Sequence, residues 1–210
     1  MGKAITILGM GQSGAERKHD ILRYCEGTEI WGLNNGYLFY PAITQGHKWG
    51  RYFELHAYRY ITEKWKQQPQ RYFEDLQRLG CEIVVGQPLP VIERQKVYDF
   101  LAVCQHFGSN YFLGSPSLML MLALYEHDNG DQLDEIRSWG IDTLDQQHMI
   151  QRAAWSYWLR AAKERGIGFS GTCENFMALA ETDGGLIGLR EEIGRRMLAA
   201  EQAKAKESEQ

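Results

Sequence analysis

The segment AITILGMGQSG, residues 4–14, decides the fold class of this chain. A short run of strand-forming residues enters a glycine-rich turn, and a helical pattern begins directly after that turn. Proteins of the α/β class use this arrangement to hold a phosphate against the N–H groups at the start of a helix. The segment therefore predicts a nucleotide-type ligand at the edge where the strands of a mostly parallel sheet end, called here the carboxyl edge.

Short apolar segments alternate with helical patterns along most of the chain. Strands are predicted over 4–8, 29–33, 51–55, 82–85, 133–139 and 167–169, and helices over 14–24, 70–79, 92–107, 115–124 and 150–166, with 37–50 irregular. This alternation is typical of a three-layer α/β/α protein with a Rossmann-like, doubly wound, mostly parallel sheet. We expect one nucleotide-binding domain over residues 1–185, then an amphipathic helix and polar tail over 186–210.

The composition limits the class of protein further. With 210 residues, 44% of them hydrophobic, the chain can form one globular domain with a buried core. A net charge of −4 gives no general attraction to nucleic acid. The longest apolar run, residues 118–125, is too short to span a bilayer, and the apolar start is too short for a signal peptide. Four widely spaced cysteines indicate reduced thiols in a cytoplasmic protein: Cys25, Cys81, Cys104 and Cys173.

Small and polar residues follow several of the predicted strands or begin a buried helix. Ligands of doubly wound sheets bind beyond the carboxyl ends of the strands, where the strand order reverses. The candidate ligand-binding residues in these loops are Gly9, Gly11, Gln12, Ser13, Asn34, Asn35, Ser115, Ser117 and Asp142.

The opening turn formally matches the dinucleotide fingerprint G-x-G-x-x-G, with Gly14 as its third glycine. Asn34 ends the second strand, where an NAD site carries an acidic residue, so a nicotinamide cofactor is disfavoured. An amide there suits hydrogen bonds to a base or a sugar. Ser13 and Glu16 fit a capping box. The alternative is that this turn connects a strand to a helix and holds nothing.

A second helix start supplies another candidate phosphate contact. Pro116 suits the first turn of a helix, and Ser115 and Ser117 flank it. If this loop lies beside the glycine turn, two positively polarised helix ends would hold one phosphate without a lysine. The alternative is that the serines only cap a buried helix.

Three residues are candidates for catalysis: His56, His148 and Arg152. Glu54 and His56 share one face of a strand, so the carboxylate can orient the imidazole for proton transfer; the alternative is a surface pair. His148 and Arg152 share a helix face on which Arg152 would hold a leaving phosphate, or the face is simply solvated. Asp142 would bind a sugar hydroxyl or a metal, or cap a turn. The histidines show no spacing of metal ligands, and no metal site is predicted.

Several segments, in their order along the chain, resemble the bacterial CMP-sialic-acid-dependent sialyltransferases of the lipooligosaccharide type. These segments are the glycine turn, WGLN at 31–34, GSPSLM at 114–119 and EIRSWGID at 135–142. The order also resembles the MptE-like pterin diphosphokinase group and small phage-encoded Rossmann-like proteins. The sialyltransferase resemblance implies that a cytidine nucleotide is held by Gly9, Gly11, Ser13, Asn34 and Ser115.

The chain departs from the sialyltransferase pattern at several points. Gln12 stands where that family usually has proline, and the family's phosphate-binding tyrosines have no match. His148 corresponds to the family's catalytic histidine by position alone.

The sequence therefore predicts a nucleotide-binding protein that acts as a transferase on a nucleotide-linked donor, in the manner of a glycosyltransferase. The alternative is a non-catalytic phage or bacterial protein that binds or sequesters a nucleotide. The expected partner is a small nucleotide or nucleotide-sugar ligand, with no cofactor assigned. Nucleic acid and membrane are not expected partners, and the tail helix can either pair two copies of the chain or fold back.

Overall fold

One sheet of seven parallel strands forms the centre of the protein in the computed structural model, which describes residues 2–142 and 149–173. The strands are β1 (Lys3–Leu8), β2 (Glu29–Leu33), β3 (Trp49–Glu54), β4 (Glu82–Val85), β5 (Gln95–Val97), β6 (Leu133–Trp139) and β7 (Gly168–Gly171). The helices among these residues are α1 (Gln12–Arg17), α2 (Ile21–Tyr24), α3 (Gly36–Phe39), α4 (Pro41–Gln45), α5 (Tyr58–Tyr60), α6 (Pro69–Arg78), α7 (Phe100–Phe107), α8 (Ser115–Asp128) and α9 (Met149–Glu164), and a π-helical turn covers Ile61–Trp65. The predicted Rossmann-like α/β fold is confirmed.

The strand order is β5-β4-β3-β2-β1-β6-β7, so its direction reverses between β1 and β6. From β1 the chain builds outward through β2 to β5 and then crosses back to place β6 on the other side of β1. Leu8 pairs in register with Gly32 of β2 and with Trp139 of β6, so these three strands end close to one level. The loops that follow β1 and β6 therefore flank the place where ligands of doubly wound sheets bind.

Two cores, one on each face of the sheet, hold the helices in place. The first core joins α8 and α9 to strand residues such as Ile5, Ile7 and Trp31. The second core joins α2, α4 and α6 to strand residues such as Leu8 and Tyr52. Successive side chains of a strand point to opposite faces, which is why Ile7 and Leu8 belong to different cores. Because both faces are covered, the central strands are apolar almost throughout.

Helix α8 is buried, as its uniformly apolar sequence predicts. Every residue from Ser117 to Leu124 is buried, and α8 packs against both the sheet and α9. Pro116 occupies its first turn, where a missing N–H costs no helical hydrogen bond. The indole N–H of Trp158 in α9 donates to the carbonyl of Tyr111 over 2.7 Å, which ties α9 to the segment before α8.

The segment predicted as one helix over 14–24 forms two short helices, α1 and α2. The break lets two side chains reach different surroundings. The Arg17 guanidinium lies 4.3 Å from the centre of the Trp139 ring, and Ile21 is fully buried in the second core. Tertiary packing therefore overrides the helical pattern here.

The stretch predicted as irregular, 37–50, contains α3, α4 and the start of β3. The Thr44 hydroxyl donates to the carbonyls of Tyr37 over 2.6 Å and Tyr40 over 3.2 Å, which holds the two short helices together.

The stretch predicted as one helix over 92–107 contains β5 and then α7. The Gln95 side chain explains the difference. Its amide donates to the carbonyls of Leu89 over 2.8 Å and Ile92 over 2.6 Å, and its oxygen accepts the Leu89 N–H. These bonds hold the backbone extended as an edge strand.

Residues 174–210, which include the predicted domain end at 185 and the predicted tail helix, lie outside the described residues. None of the described helices combines the length and apolarity that crossing a membrane requires.

Asp128 joins the ends of three helices at the opposite edge of the sheet, where the strands begin. Its carboxylate accepts two hydrogen bonds from Arg165, each 2.8 Å long, and lies 2.8 Å from Nε2 of His106. His106 belongs to α7, Asp128 ends α8, and Arg165 follows α9. The hydrogen bonds from Arg165 and then His106 lower the pKa of Asp128 to about 2. The carboxylate is therefore stabilised in its charged form by the folded state.

Replacing Asp128 with Asn is expected to lower the free energy of unfolding at pH 7 by about 1 kcal/mol, the upper range for a solvent-screened ion pair. Because the folded state lowers the pKa of Asp128, the stabilisation is complete above about pH 4 and is lost as the pH falls toward 2. Urea unfolding of both proteins between pH 7 and 2 measures this. A stability difference that does not shrink toward pH 2 contradicts the assignment.

Candidate functional site

The glycine turn after β1 is bonded to the loop after β6. The Gly11 N–H donates to the carbonyl of Gly140 over 2.9 Å, and the Gly140 N–H donates to the Ser13 hydroxyl over 2.7 Å. Asp142 accepts the Ser13 N–H over 2.6 Å and also accepts the Ser13 hydroxyl proton. The Asp142 carboxylate is thus the anion that sits at the start of α1, and its side chain is buried among protein atoms.

The glycines of this turn are needed for close packing. A Cβ atom on Gly11 would lie 2.6 Å from Oδ2 of Asp142. A Cβ on Gly9 would collide with the Gly140 carbonyl, and one on Gly14 would collide with the Tyr40 hydroxyl. The glycines therefore let the loops after β1 and β6 and the Tyr40 hydroxyl approach closely, and a ligand contact by this turn stays a prediction.

The predicted capping box is wrong. The N-cap of α1 is Gly11, which has no side chain, and Ser13 lies inside the first turn of the helix. The Ser13 hydroxyl bonds Asp142 and Gly140 of the loop after β6. Gln12 is exposed, and its side-chain amide donates to Glu16 over 3.0 Å.

The starts of α1 and α8 lie over opposite faces of the sheet. Gly14 of α1 packs beside Tyr40 of the second core, whereas the buried residues of α8 belong to the first core. At the start of α8, the Ser117 hydroxyl donates to the Gly114 carbonyl over 2.9 Å and accepts the Leu113 N–H over 3.2 Å. The Ser117 hydroxyl therefore closes the first turn of α8. Joint binding of one phosphate by the starts of α1 and α8 stays a prediction.

Replacing Asp142 with Ala is expected to reduce the free energy of unfolding by about 2 kcal/mol, because it removes the acceptor of two half-buried Ser13 donors. Chemical unfolding followed by circular dichroism measures the loss. Asp20→Asn is the matched control, since Asp20 is exposed and its side chain makes no cap hydrogen bond at α2. Equal stability of the two variants would show that the bonds to Ser13 contribute nothing.

A second polar cluster lies where β2 and β3 end, and Glu54 is its centre. Glu54 is the last residue of β3, and no part of it is exposed. Its carboxylate accepts the backbone N–H of His56 over 3.0 Å and faces Nδ1 of the same residue at 2.7 Å. The Tyr72 hydroxyl donates to its other oxygen. Burying a carboxylate is costly unless donors surround it, so these contacts fix both the carboxylate and the groups that bind it.

His56 is oriented from two sides. Glu54 holds Nδ1, and the imidazole stacks on the ring of Tyr60 with 5.2 Å between centroids and 16° between planes. The His56 side chain remains 31% exposed while Glu54 is fully buried. A carboxylate that faces Nδ1 fixes the orientation of the imidazole and favours the tautomer with its proton on Nδ1.

Lys66 belongs to the same cluster. Its amine donates to the side-chain oxygen of Asn35 and lies 4.2 Å from the centre of the Tyr72 ring. Burial lowers the pKa of Lys66 to about 8, and the Glu54 carboxylate opposes this shift only in part. Burial and the same carboxylate raise the pKa of Tyr72 well above its usual value, so its hydroxyl stays protonated and donates.

Asn34 connects this cluster to the end of β2. Its backbone is left-handed, with φ of 54°, a conformation that Asn adopts more readily than most residues. Its carbonyl accepts the hydroxyls of Tyr52 over 3.1 Å and Tyr72 over 3.3 Å. The side-chain oxygen of Asn34 is buried and makes no hydrogen bond to the described residues.

The predicted residues therefore fall into separate groups. His56, Asn34 and Asn35 meet at the end of β2 and β3, called here the His56 corner, together with Glu54, Tyr60, Lys66 and Tyr72. Gly9, Gly11, Ser13 and Asp142 meet at the reversal between β1 and β6. Ser115 and Ser117 begin α8, and Arg152 lies partly buried in the first turns of α9, whose core residues pack on the face opposite Tyr72. His148 lies outside the described residues.

Sequence reasoning missed Tyr60, Lys66 and Tyr72. A lysine or a tyrosine in a helical stretch normally indicates a solvated or core position, and only the fold brings these residues to Glu54. Glu54 is the residue in the sequence that could have indicated this cluster, because a carboxylate at the end of an apolar strand requires partners from elsewhere in the chain.

A cavity of about 210 Å³ lies away from these residues. It is lined by residues that include Gln77, Cys81, Ile92 and Arg94, beside the points where β4 and β5 begin. Burial raises the pKa of Cys81 to about 12, so its thiol stays protonated and is a poor nucleophile. The His56 corner is the better candidate for a functional site than this cavity, because titratable groups held in fixed orientations are typical of functional sites.

Comparison of the chain with protein-family models, with curated proteins and with solved structures found no match.

Lys66 is expected to be acetylated several-fold faster than Lys48 by limiting acetic anhydride at pH 8. Its amine is about half neutral at that pH, because burial lowers its pKa to about 8, whereas an exposed lysine is almost fully charged. Lys48 is exposed and serves as the internal reference. Peptide mass spectrometry measures both rates in one sample, and slower acetylation of Lys66 would contradict the lowered pKa.

Proposed function

We propose that this protein binds a nucleotide-type ligand at the His56 corner and transfers a group from a nucleotide-linked donor to an acceptor hydroxyl. The Glu54–His56 pair carries the proposal, because a fully buried carboxylate holds the ring nitrogen of a partly exposed histidine at 2.7 Å. This is the arrangement that general base catalysis needs. The pair lies at the carboxyl edge of a doubly wound sheet, the edge at which such folds bind ligands.

The proton transfer follows from the geometry of the pair. Nε2 of His56 accepts the proton of the acceptor hydroxyl as that oxygen attacks the donor carbon. Glu54 stabilises the imidazolium that forms, through the Nδ1 contact. The bond between the donor carbon and the nucleotide phosphate oxygen breaks, and the phosphate leaves with the electron pair. The buried side-chain oxygen of Asn34 offers an acceptor for a donor group of the base or the sugar.

Binding without turnover is the second candidate function. Glu54 is bonded by His56 and by Tyr72, which is also what a purely structural anchor at a strand end requires. In that case His56 holds the loop after β3 in place, and the corner binds or sequesters a nucleotide without breaking it down. The two functions differ in whether the bound ligand is consumed.

A thermal-shift panel of CMP, UDP, GDP, ADP-ribose, NAD and cyclic dinucleotides tests for binding. A true ligand at 100 times its Kd stabilises the folded state by about 2.7 kcal/mol. The ligand that binds, or its sugar-linked form, is then incubated with the protein and an alcohol acceptor, and its breakdown is followed by chromatography. Stabilisation without breakdown supports the non-catalytic alternative. No stabilisation by any member of the panel contradicts nucleotide binding.

The variant His56→Gln is expected to lower the rate of breakdown by about 10² to 10⁴ and to leave ligand binding nearly unchanged. His19→Gln is the matched control, since His19 lies in the exposed turn between α1 and α2. If both variants retain the wild-type rate, His56 does not transfer the proton.

A further inference from the structure

We propose that Tyr72 is a positioning residue for His56, and that it acts through the Glu54 carboxylate. The inference rests on the proposed function and deepens it, because it names the residue that holds the proton acceptor in place from behind. Tyr72 lies in α6 and belongs to the second core, so this control comes from outside the loop that carries His56.

The two oxygens of Glu54 have separate partners. Oε1 accepts the backbone N–H of His56 over 3.0 Å and faces Nδ1 of that residue at 2.7 Å. Oε2 accepts the hydroxyl of Tyr72. A carboxylate held at both oxygens cannot turn about its last side-chain bond without losing a donor. The Tyr72 hydroxyl therefore decides which oxygen faces the imidazole.

Burial makes the loss of the Tyr72 hydroxyl costly for the carboxylate. No part of Glu54 is exposed, so bulk water does not reach Oε2 to replace a missing donor. A buried carboxylate that loses a donor turns toward another donor or takes up a proton. Either change weakens its contact with Nδ1 of His56.

Tyr72 is suited to act as a permanent donor at this position. Burial, and then the charge of Glu54, raise the pKa of Tyr72 well above its usual value, so the hydroxyl keeps its proton. The hydroxyl also lies 3.3 Å from the carbonyl of Asn34, and the Tyr72 ring packs 6.1 Å from the ring of Tyr37. These contacts hold the donor at the ends of β2 and β3.

The position of the carboxylate matters for the proposed proton transfer. With Oε1 facing Nδ1, the neutral ring keeps its proton on Nδ1 and presents Nε2 to the acceptor hydroxyl. Partners that lie behind a metal-bound histidine typically contribute about 10- to 100-fold to activity. We expect Tyr72, one step further from the imidazole than Glu54, to contribute about tenfold by the same kind of orientation.

The first test reads the proton position on His56 from the nitrogen chemical shifts of its imidazole at pH 8, without any ligand. The wild-type ring is expected to carry a proton on Nδ1, and Tyr72→Phe is expected to give a mixture of the two tautomers. Tyr98→Phe is the matched control, because Tyr98 is also buried and its hydroxyl donates to the Leu118 carbonyl over 3.0 Å in the first core. Both variants lose one buried hydrogen bond, so a merely structural role predicts no difference between them at His56.

The second test measures turnover, with UDP-glucose, GDP-mannose and CMP-sialic acid as donors and glycerol as the alcohol acceptor. Tyr72→Phe is expected to lower kcat about tenfold and to leave KM nearly unchanged, because Tyr72 orients the imidazole and does not hold the donor. In the Glu54→Gln background, Tyr72→Phe should lower kcat no further, since the carboxylate through which it acts is gone.

The tautomer measurement needs no ligand, so it separates this proposal from the proposed function. An unchanged tautomer in Tyr72→Phe, a wild-type ring with its proton on Nε2, or a full additional loss of kcat in the double variant overturns the role of Tyr72 and leaves the proposed function standing. The expected tautomers without breakdown of any donor overturn the transfer reaction and support the positioning contact.

Discussion

A carboxylate without exposed surface is the constraint on which the arrangement of the carboxyl edge depends. Glu54 ends an apolar strand, and its charge is tolerated only because donors from two separate elements converge on it. Satisfying it fixes the loop that carries His56 and the helix that carries Tyr72. Through the Tyr72 ring, the same constraint also sets the surroundings of Lys66. Orientation of the imidazole is thus a by-product of stabilising a buried charge.

A second buried carboxylate, that of Asp142, lies at the same edge of the sheet, where the loops after β1 and β6 meet. There the Asp142 carboxylate binds the N–H and hydroxyl of Ser13, and the glycines let the two loops approach closely. This contact joins the loops that follow β1 and β6, where the strand order reverses. One carboxylate therefore connects the two loops at the reversal, while the other positions titratable groups two strands away. The glycine pattern predicted the fold, but the oriented titratable groups lie elsewhere, at the ends of β2 and β3.

The fold was largely predictable because it depends on local patterns. Three strands have the predicted bounds, Glu29–Leu33, Glu82–Val85 and Leu133–Trp139, and the alternation of strands and helices predicted the parallel, doubly wound sheet. The edge strand β5 was missed because the side chain of Gln95, rather than any periodicity, holds it extended. In the candidate site, the Glu54–His56 pair followed from the alternation of side chains along a strand. Lys66 and Tyr72 could not be found, since their place in the site depends on the loop and helix that return them to β3.

The two edges of the sheet carry separate sets of charges. At the edge where the strands begin, Asp128 ties together the ends of three helices, and Arg51 of β3 donates to Glu126 of α8 over 2.6 Å. None of these groups contacts the His56 corner in the described residues. Evolution can therefore vary the loops at the carboxyl edge, while the ionic contacts at the far edge preserve the scaffold.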